Sequence, residues 1–358
     1  MRKQILMSLL VLPLIFSCKK QGCTDPTAIN YSESAEQDNG TCNYEQNENQ
    51  LPLTISSNLT LTNDKVWYIV GRTSVTNGTT LTIEPGTIIK GYQGTGANAT
   101  CLIIARGGKI IAQGTPQQPI IFTSVADNID VGQTSGTSLD ETLSGLWGGL
   151  IILGNSPISA DAESVQIEGI PASDNNGLYG GTNENDNSGI LNYVSIRHGG
   201  ANIGEGNEIN GLTLGGVGSG TIINNIEVFA NQDDGIECFG GTVSVSNLLV
   251  WNVGDDCVDI DQGYGGTINN VLIVPGLTTD HVLELDGGEG TWNTPFNIYN
   301  CEVISDLSQA HFRAGAEGYV GLFGNVNIES DLGTSVVVET LPNGVEQSVF
   351  GWTYWYNR

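Results

Sequence analysis

Positive charge is what this chain has least of. Its 358 residues carry 12 lysines and arginines against 39 aspartates and glutamates, a formal net charge of −27. A surface that acidic repels nucleic acid and anionic lipid headgroups, so neither is expected as a partner. Histidine is scarcer still: there are three, His198, His281 and His311, and none stands at zinc-ligand spacing from another. No G-x-S-x-G appears, so that serine-nucleophile signature is absent. Gly215-Gly216-Val217-Gly218 leads into no helical stretch and reads as a turn, not a phosphate-binding loop. Almost no segment has a helical period.

Glycine is present in abundance, 49 residues against 11 prolines, and hydrophobic residues make up 39% of the chain. That much glycine without a collagen period predicts many tight turns between short strands. The length allows one large domain or two ordinary ones.

Arg2 and Lys3 precede an apolar run from Ile5 to Phe16, the layout of a secretory signal, and the run is too short for a comfortable membrane span. It ends in Leu14-Ile15-Phe16-Ser17-Cys18, which resembles the lipobox of bacterial lipoproteins. The resemblance implies that residues 1–17 are a signal peptide and that Cys18 becomes the acylated first residue, held by membrane lipid. Outer membrane, with the cell surface or the periplasmic face left open, is the implied location. Loss of Arg2 and Lys3 leaves ten basic against 39 acidic residues, 10 − 39 = −29. Such a surface suits divalent cations, neutral glycans or basic proteins.

Export permits disulfides. The stretch GCTDPTAINYSESAEQDNGTC resembles a cysteine-bracketed module near the termini of bacterial surface proteins, which implies a Cys23–Cys42 disulfide. Residues 18–52 therefore read as a stapled spacer ending in a polar linker, although carboxylates in the bracketed loop also suit calcium. Cys101, Cys238, Cys257 and Cys301 fall further on, where a buried thiol acting as a small hydrophobe is the default.

From residue 53 short apolar strands recur. Thr87-Ile88-Ile89 matches Lys109-Ile110-Ile111, and Val228-Phe229 matches Val250-Trp251, both 22 apart; Asp233-Asp234 matches Asp255-Asp256 at 22, and Asn247 matches Asn270 at 23. A period near 22 with about three strands per unit is a solenoid signature. The leucine and asparagine framework of leucine-rich repeats is absent. The expected fold is all-β: a single right-handed parallel β-helix over residues 53–330, about 22 residues per turn, its first end covered by 53–75. Residues 331–358 are expected to form a C-terminal cap: a hairpin turning at Pro342-Asn343-Gly344, then an aromatic tail in which Trp352, Tyr354 and Trp355 either cap the core or stack on sugar. The repeats, with LTIEPGTIIKG, GGKIIAQGTPQQPIIFTS and GLWGGLIILGN, resemble the pectate-lyase-like β-helix superfamily and β-helix lipoproteins of unknown role. Two polar insertions, 125–145 and 171–189, are candidates to wall a groove.

The chemistry concentrates between residues 231 and 315. Alternation places Glu237, Asp259 and Glu284 in one outward column, with Arg313 next, and Asp286 close by. Stacked carboxylates must be solvated, protonated, paired or bridged by a cation. Three readings stay open. One is a solvated acidic face. The second is binding: calcium on Glu237, Asp259, Glu284 and Asp286, or a polysaccharide held with Trp251, Tyr264 and Arg313. No cofactor is required beyond this possible calcium. The third is hydrolysis. The order of Asp234, Asp255-Asp256, His281 and Arg313 resembles polygalacturonases, which implies an inverting reaction with aspartates as acid and base. The glycines flanking the family's histidine are replaced by Asp280 and Val282, and its lysine after the arginine by Gly315.

Overall fold

β-branched runs of four or five residues, cut by glycine, are too short to bury their faces alone and gain a core only by stacking. The computed structural model describes residues 20–24, 28–38, 49–94, 96, 99–203, 209–285, 288, 290–292, 294 and 296–303. It also describes the backbones of the strands His311–Ala314, Val320–Phe323, Asn327–Ser330 and Ser335–Val337. Two compact units are present, residues 1–45 and 46–358.

In the first unit Gln21–Gly22 pairs in parallel with Gln37–Asp38, and Cys23 is disulfide-bonded. Its expected partner Cys42 lies outside the described residues, as do Cys18 and residues 1–17. No helix among the described residues is long and apolar enough to cross a membrane.

The second unit is a parallel β-helix built on two long sheets of twelve and eleven strands. Leu59 lies over Leu81 and Val66 over Ile88, each 22 residues on. Further along, Val228 lies over Val250 at 22, and Val245 over Ile268 at 23. One expected alignment is shifted: Ile110 lies over Leu81, and Ile88 lies over Ile121. The lengthened connection from Tyr92 to Thr100 moves the next turn's strands down the sequence, so the similar GTII and GKII stretches occupy different sides of a turn. Residues 53–75 also differ from expectation. They are the first full turn, with strands Thr54–Ile55, Leu59–Leu61, Val66–Ile69 and Arg72–Val75. Leu51 is already buried and its N–H bonds to the Tyr68 carbonyl at 2.8 Å.

The corner between the first two strands of a turn tightens along the helix. In early turns it is a loop. Gly189–Arg197 then spans it unbroken, its first half pairing with Lys109–Gln113 and its second with Ile120–Ser124. The bend falls on one residue at positive φ: Tyr193 (49°), Asn225 (54°), Asn247 (56°), Asn270 (57°) and Asn300 (50°). Asparagine tolerates this region better than other residues bearing a Cβ. The same amides link turns, Asn247 Nδ2 donating to Asn224 Oδ1 at 2.7 Å and Asn270 Nδ2 to Asn247 Oδ1 at 3.1 Å. A second left-handed bend recurs at His198 (58°), Ala230 (53°) and Asn252 (54°). It ends at Pro275, whose ring fixes φ near −65°.

Cys101, Cys238 and Cys257 are buried thiols, and Cys301 is buried as well. Both insertions are anchored. Asp127 in the first accepts from Thr123 Oγ1 at 3.0 Å, and Arg197 donates to the Thr134 carbonyl at 2.9 Å. Tyr179 of the second packs with Ile158, Ile167 and Ile170, which precede it, over Ile103, Ile151, Leu153 and Phe239, outside the eleven-stranded sheet. An antiparallel pair is present near the C-terminal end, but it joins Asn327–Ser330 to Ser335–Val337. The expected hairpin turn at 342–344 and the tail bearing Trp352, Tyr354 and Trp355 lie outside the described residues.

Candidate functional site

Three successive turns cross between the sheets through acidic loops. Pairing of Ile236 with Val258, and of Val258 with Leu283, sets these loops in register. Asp233, Asp255 and Asp280 then form one column, and Asn210, Asp234, Asp256 and His281 a second. Glu237, Asp259, Glu284 and Arg313 form a third on the strands themselves, as the alternation predicts. The Arg313 side chain and Asp286 lie outside the described residues.

The second column is knitted through its backbone. Asp234 Oδ1 accepts the Asp256 N–H at 2.9 Å, and Asp256 Oδ1 accepts the His281 N–H at 2.7 Å. Each aspartate thus satisfies a donor that stacking would otherwise bury unpaired. His281 Nδ1 also lies 2.8 Å from Asp256 Oδ1 and 3.8 Å from Glu284 Oε2.

A freely solvated acidic face does not describe these residues. Asp233, Asp234, Glu237 and Asp256 are all buried, at 8%, 7%, 5% and 2% exposure, while Asp255 is exposed. The Asn210 amide donates to Glu237 Oε2, and the exposed Glu168, which precedes the second insertion, acts on Glu237 electrostatically. Burial pushes the Glu237 carboxyl well above the usual carboxylate range, with Asp234 and Asp259 adding to it. Burial, then Asp259, Asp233 and Asp256, raise Asp234 in the same direction. Asp256 is pushed up to about 8 by burial and Asp255, against the opposing His281 N–H bond.

The strand column keeps its register, but its side chains separate into two sets. Oxygen atoms of Asp234, Glu237 and Asp259 lie within 4.8 Å of one another. Glu284 instead joins Asp256 and His281 within the same limit. Asp233, Asp234 and Asp255 form a third such set, and Asp255, Asp256 and Asp280 a fourth.

Residues 53–340 match the pectate-lyase-like β-helix domain. The chain belongs to the pectate-lyase-like β-helix family. No curated protein and no solved structure matches it. The family ties this fold to carbohydrate-related proteins.

Within this pectate-lyase-like helix the residues expected to meet a glycan divide. Tyr264 does not face a ligand: it is fully buried, packs on Phe296 with ring centres 6.1 Å apart, and donates its hydroxyl to the Val243 carbonyl. Its place in a glycine-rich turn gives no period from which to tell inward from outward. Trp251 is half-buried and meets Phe229 edge-on at 5.0 Å, at the end of a row that includes His198. The inverting scheme asks for a particular carboxyl separation. Inverting glycosidases hold their carboxyls about 6.5–9.5 Å apart to admit water. Asp234 and Asp255, and likewise Asp255 and Asp256, bring one oxygen of each within 4.8 Å.

Asn210, Glu168, Asp233 and Asp280 belong to the site and carry no prior expectation there. Asn210 was legible in principle, because it stands before Gly211 and Leu212 as Asp234 stands before Gly235 and Ile236. Glu168 sits in the long connection between Leu150–Leu153 and Gly189–Arg197, which follows no repeat, so its sequence offers no such signal.

Proposed function

We propose that this protein is an exported lipoprotein, anchored through Cys18, that binds calcium at its acidic loops and a glycan beside the ion. The observation supporting this is the convergence of Asp234, Glu237 and Asp259 within 4.8 Å, two of them buried, with no basic side chain paired to Asp234 or Glu237 among the described residues. Calcium takes oxygen ligands at about 2.3–2.6 Å. Two oxygens on opposite sides of one ion therefore lie up to ~5 Å apart, and this set fits that span. The set contains no nitrogen ligand. Asn210 Oδ1, buried and without a hydrogen-bond partner among the described residues, supplies a neutral oxygen nearby. Glycan oxygens complete the shell, with Trp251 and Arg313 as the candidate sugar contacts.

The test is calcium titration of the EDTA-treated full-length chain, read by calorimetry and by melting temperature. Calcium should bind and raise Tm by several degrees, and Glu237→Gln should remove both effects. An unchanged Tm with no binding heat would end the calcium reading. Retention on insoluble polysaccharide with calcium, and release by EDTA, tests the glycan half.

A second reading, hydrolysis, draws on one observation: a carboxyl at Asp256 that holds its proton up to about pH 8 beside His281. Wild type and Asp256→Asn assayed on a panel of soluble polysaccharides separate the two. Cleavage by wild type that disappears in the variant supports an enzyme, and binding without cleavage supports the primary proposal.

A further inference from the structure

The first insertion also shapes a cleft away from the acidic loops. The turns at Asn63, Gly86 and 117–119 stack on one corner, and residues 131–134 lie across them around a cavity of about 300 Å³. The wall is held in place. Asn128 Nδ2 donates to Thr137 Oγ1 at 2.9 Å, and the Thr137 N–H returns to Asn128 Oδ1 at 2.7 Å. The Asp130 N–H donates to Gln133 Oε1 at 2.8 Å, and the Thr134 carbonyl accepts from the buried Arg197 at 2.9 Å. On the facing side Asn63 is fixed by Nδ2 donating to the Pro85 carbonyl at 2.8 Å.

The lining chemistry is selective. None of the lining residues is charged, on a chain of net charge −27. The side-chain amides of Gln117 and Gln118 make no hydrogen bond among the described residues, and Gln133 keeps both amide hydrogens for a ligand. Val131, 43% exposed, and Pro119 add a small apolar surface. A planar amide offers a donor and an acceptor side by side, which matches neighbouring sugar hydroxyls. An apolar patch suits the C–H face of a pyranose. The volume stands at the small end of the ~300–1,000 Å³ range of ligand sites.

We propose that this cleft binds an uncharged sugar residue without a cation, as a saccharide site separate from the acidic loops. It does not rest on the calcium reading. The test uses the full-length chain in EDTA with cellohexaose, mannohexaose and xylohexaose, followed by saturation-transfer NMR and calorimetry. At least one should bind, and the double variant Gln117→Ala/Gln118→Ala should weaken it by about tenfold, the scale of two lost hydrogen bonds. Both side chains are exposed, so the variant should melt with wild type. Glu237→Gln should bind as wild type does. The proposal is overturned if none of the three sugars binds, if the double variant binds undiminished, or if Glu237→Gln abolishes binding, which would return the sugar to the acidic loops.

Discussion

Metal-free protein should lose stability as pH rises from 5 to 8, and Asp256→Asn should remove part of that loss. The ordinary value for an aspartate is 3.8, and in the folded chain Asp256 is pushed up to about 8. Well below 3.8 the carboxyl is protonated whether the chain is folded or not. Between the two values the unfolded chain releases the proton and the folded chain keeps it, so the folded state binds more protons and its stability falls with pH. Each pH unit is worth about 1.36 kcal/mol, which gives at most ~6 kcal/mol over the whole interval. Asp255 beside it is exposed, and water screening on that side reduces the expected effect to ~3 kcal/mol. Asp234 and Glu237, also raised, add in the same direction.

The assay is urea unfolding of the full-length chain in EDTA at pH 5, 6, 7 and 8, for wild type and Asp256→Asn. Asparagine keeps the oxygen that accepts the His281 N–H and removes the charge. The variant should therefore gain roughly 3 kcal/mol on wild type at pH 8, and the gain should shrink steadily toward pH 5. Calcium should flatten the wild-type slope, because a bound cation takes the place of the protons. Wild-type stability that stays level or rises from pH 5 to 8 in EDTA would refute the reasoning.

Other perturbations address the scaffold and the anchor. Asn247→Ala puts a Cβ without a polar group at φ 56° and breaks bonds to Asn224 and Asn270; urea unfolding should show a loss of ~2–3 kcal/mol, of which Asn247→Gly recovers part. Ala230→Gly relieves φ 53° and should raise stability by ~0.5–1 kcal/mol by the same measurement. Tyr264→Phe removes the donor to the buried Val243 carbonyl and should cost ~1 kcal/mol while polysaccharide retention stays unchanged. Cys18→Ser should abolish incorporation of labelled palmitate and move the protein from the membrane to the soluble fraction.

The repeat was legible where nothing interrupts a turn. Phe229 and Trp251 lie in register 22 residues apart, as the sequence spacing predicts. It misled where an insertion changes the turn length, because Ile88 and Ile110 sit in similar local patterns yet on different strands. The column of Glu237, Asp259 and Glu284 could be read from alternation, since a strand has only two faces. Its division into two sets of converging oxygens could not, because that depends on side-chain torsions and on the Asn210 amide bonding Glu237. Tyr264 was misplaced for a related reason: the run Gly263-Tyr264-Gly265-Gly266 has no alternation to follow.

The aspartate spacings that resemble a catalytic set have a simpler origin, and it sharpens what remains to be explained. Asp234 and Asp256 stand 22 residues apart because each accepts the backbone N–H of the next loop, and His281 follows in the same column. Any solenoid with acceptors at that corner would show those intervals. Accepting an N–H does not, however, require charge. Asparagine offers the same oxygen without the cost of burying an ion, and the column position one turn earlier holds Asn210. The scaffold thus accounts for an acceptor at 234 and 256, but not for two carboxyls there, nor for Glu237 converging on Asp234. A fold departs from its cheapest solution where something else is selected for. Here the excess is carboxyl groups, of which Asp234 and Glu237 gather with Asp259 within the reach of one ion, which is why the acidic loops are read as a cation-dependent binding site before they are read as an active site.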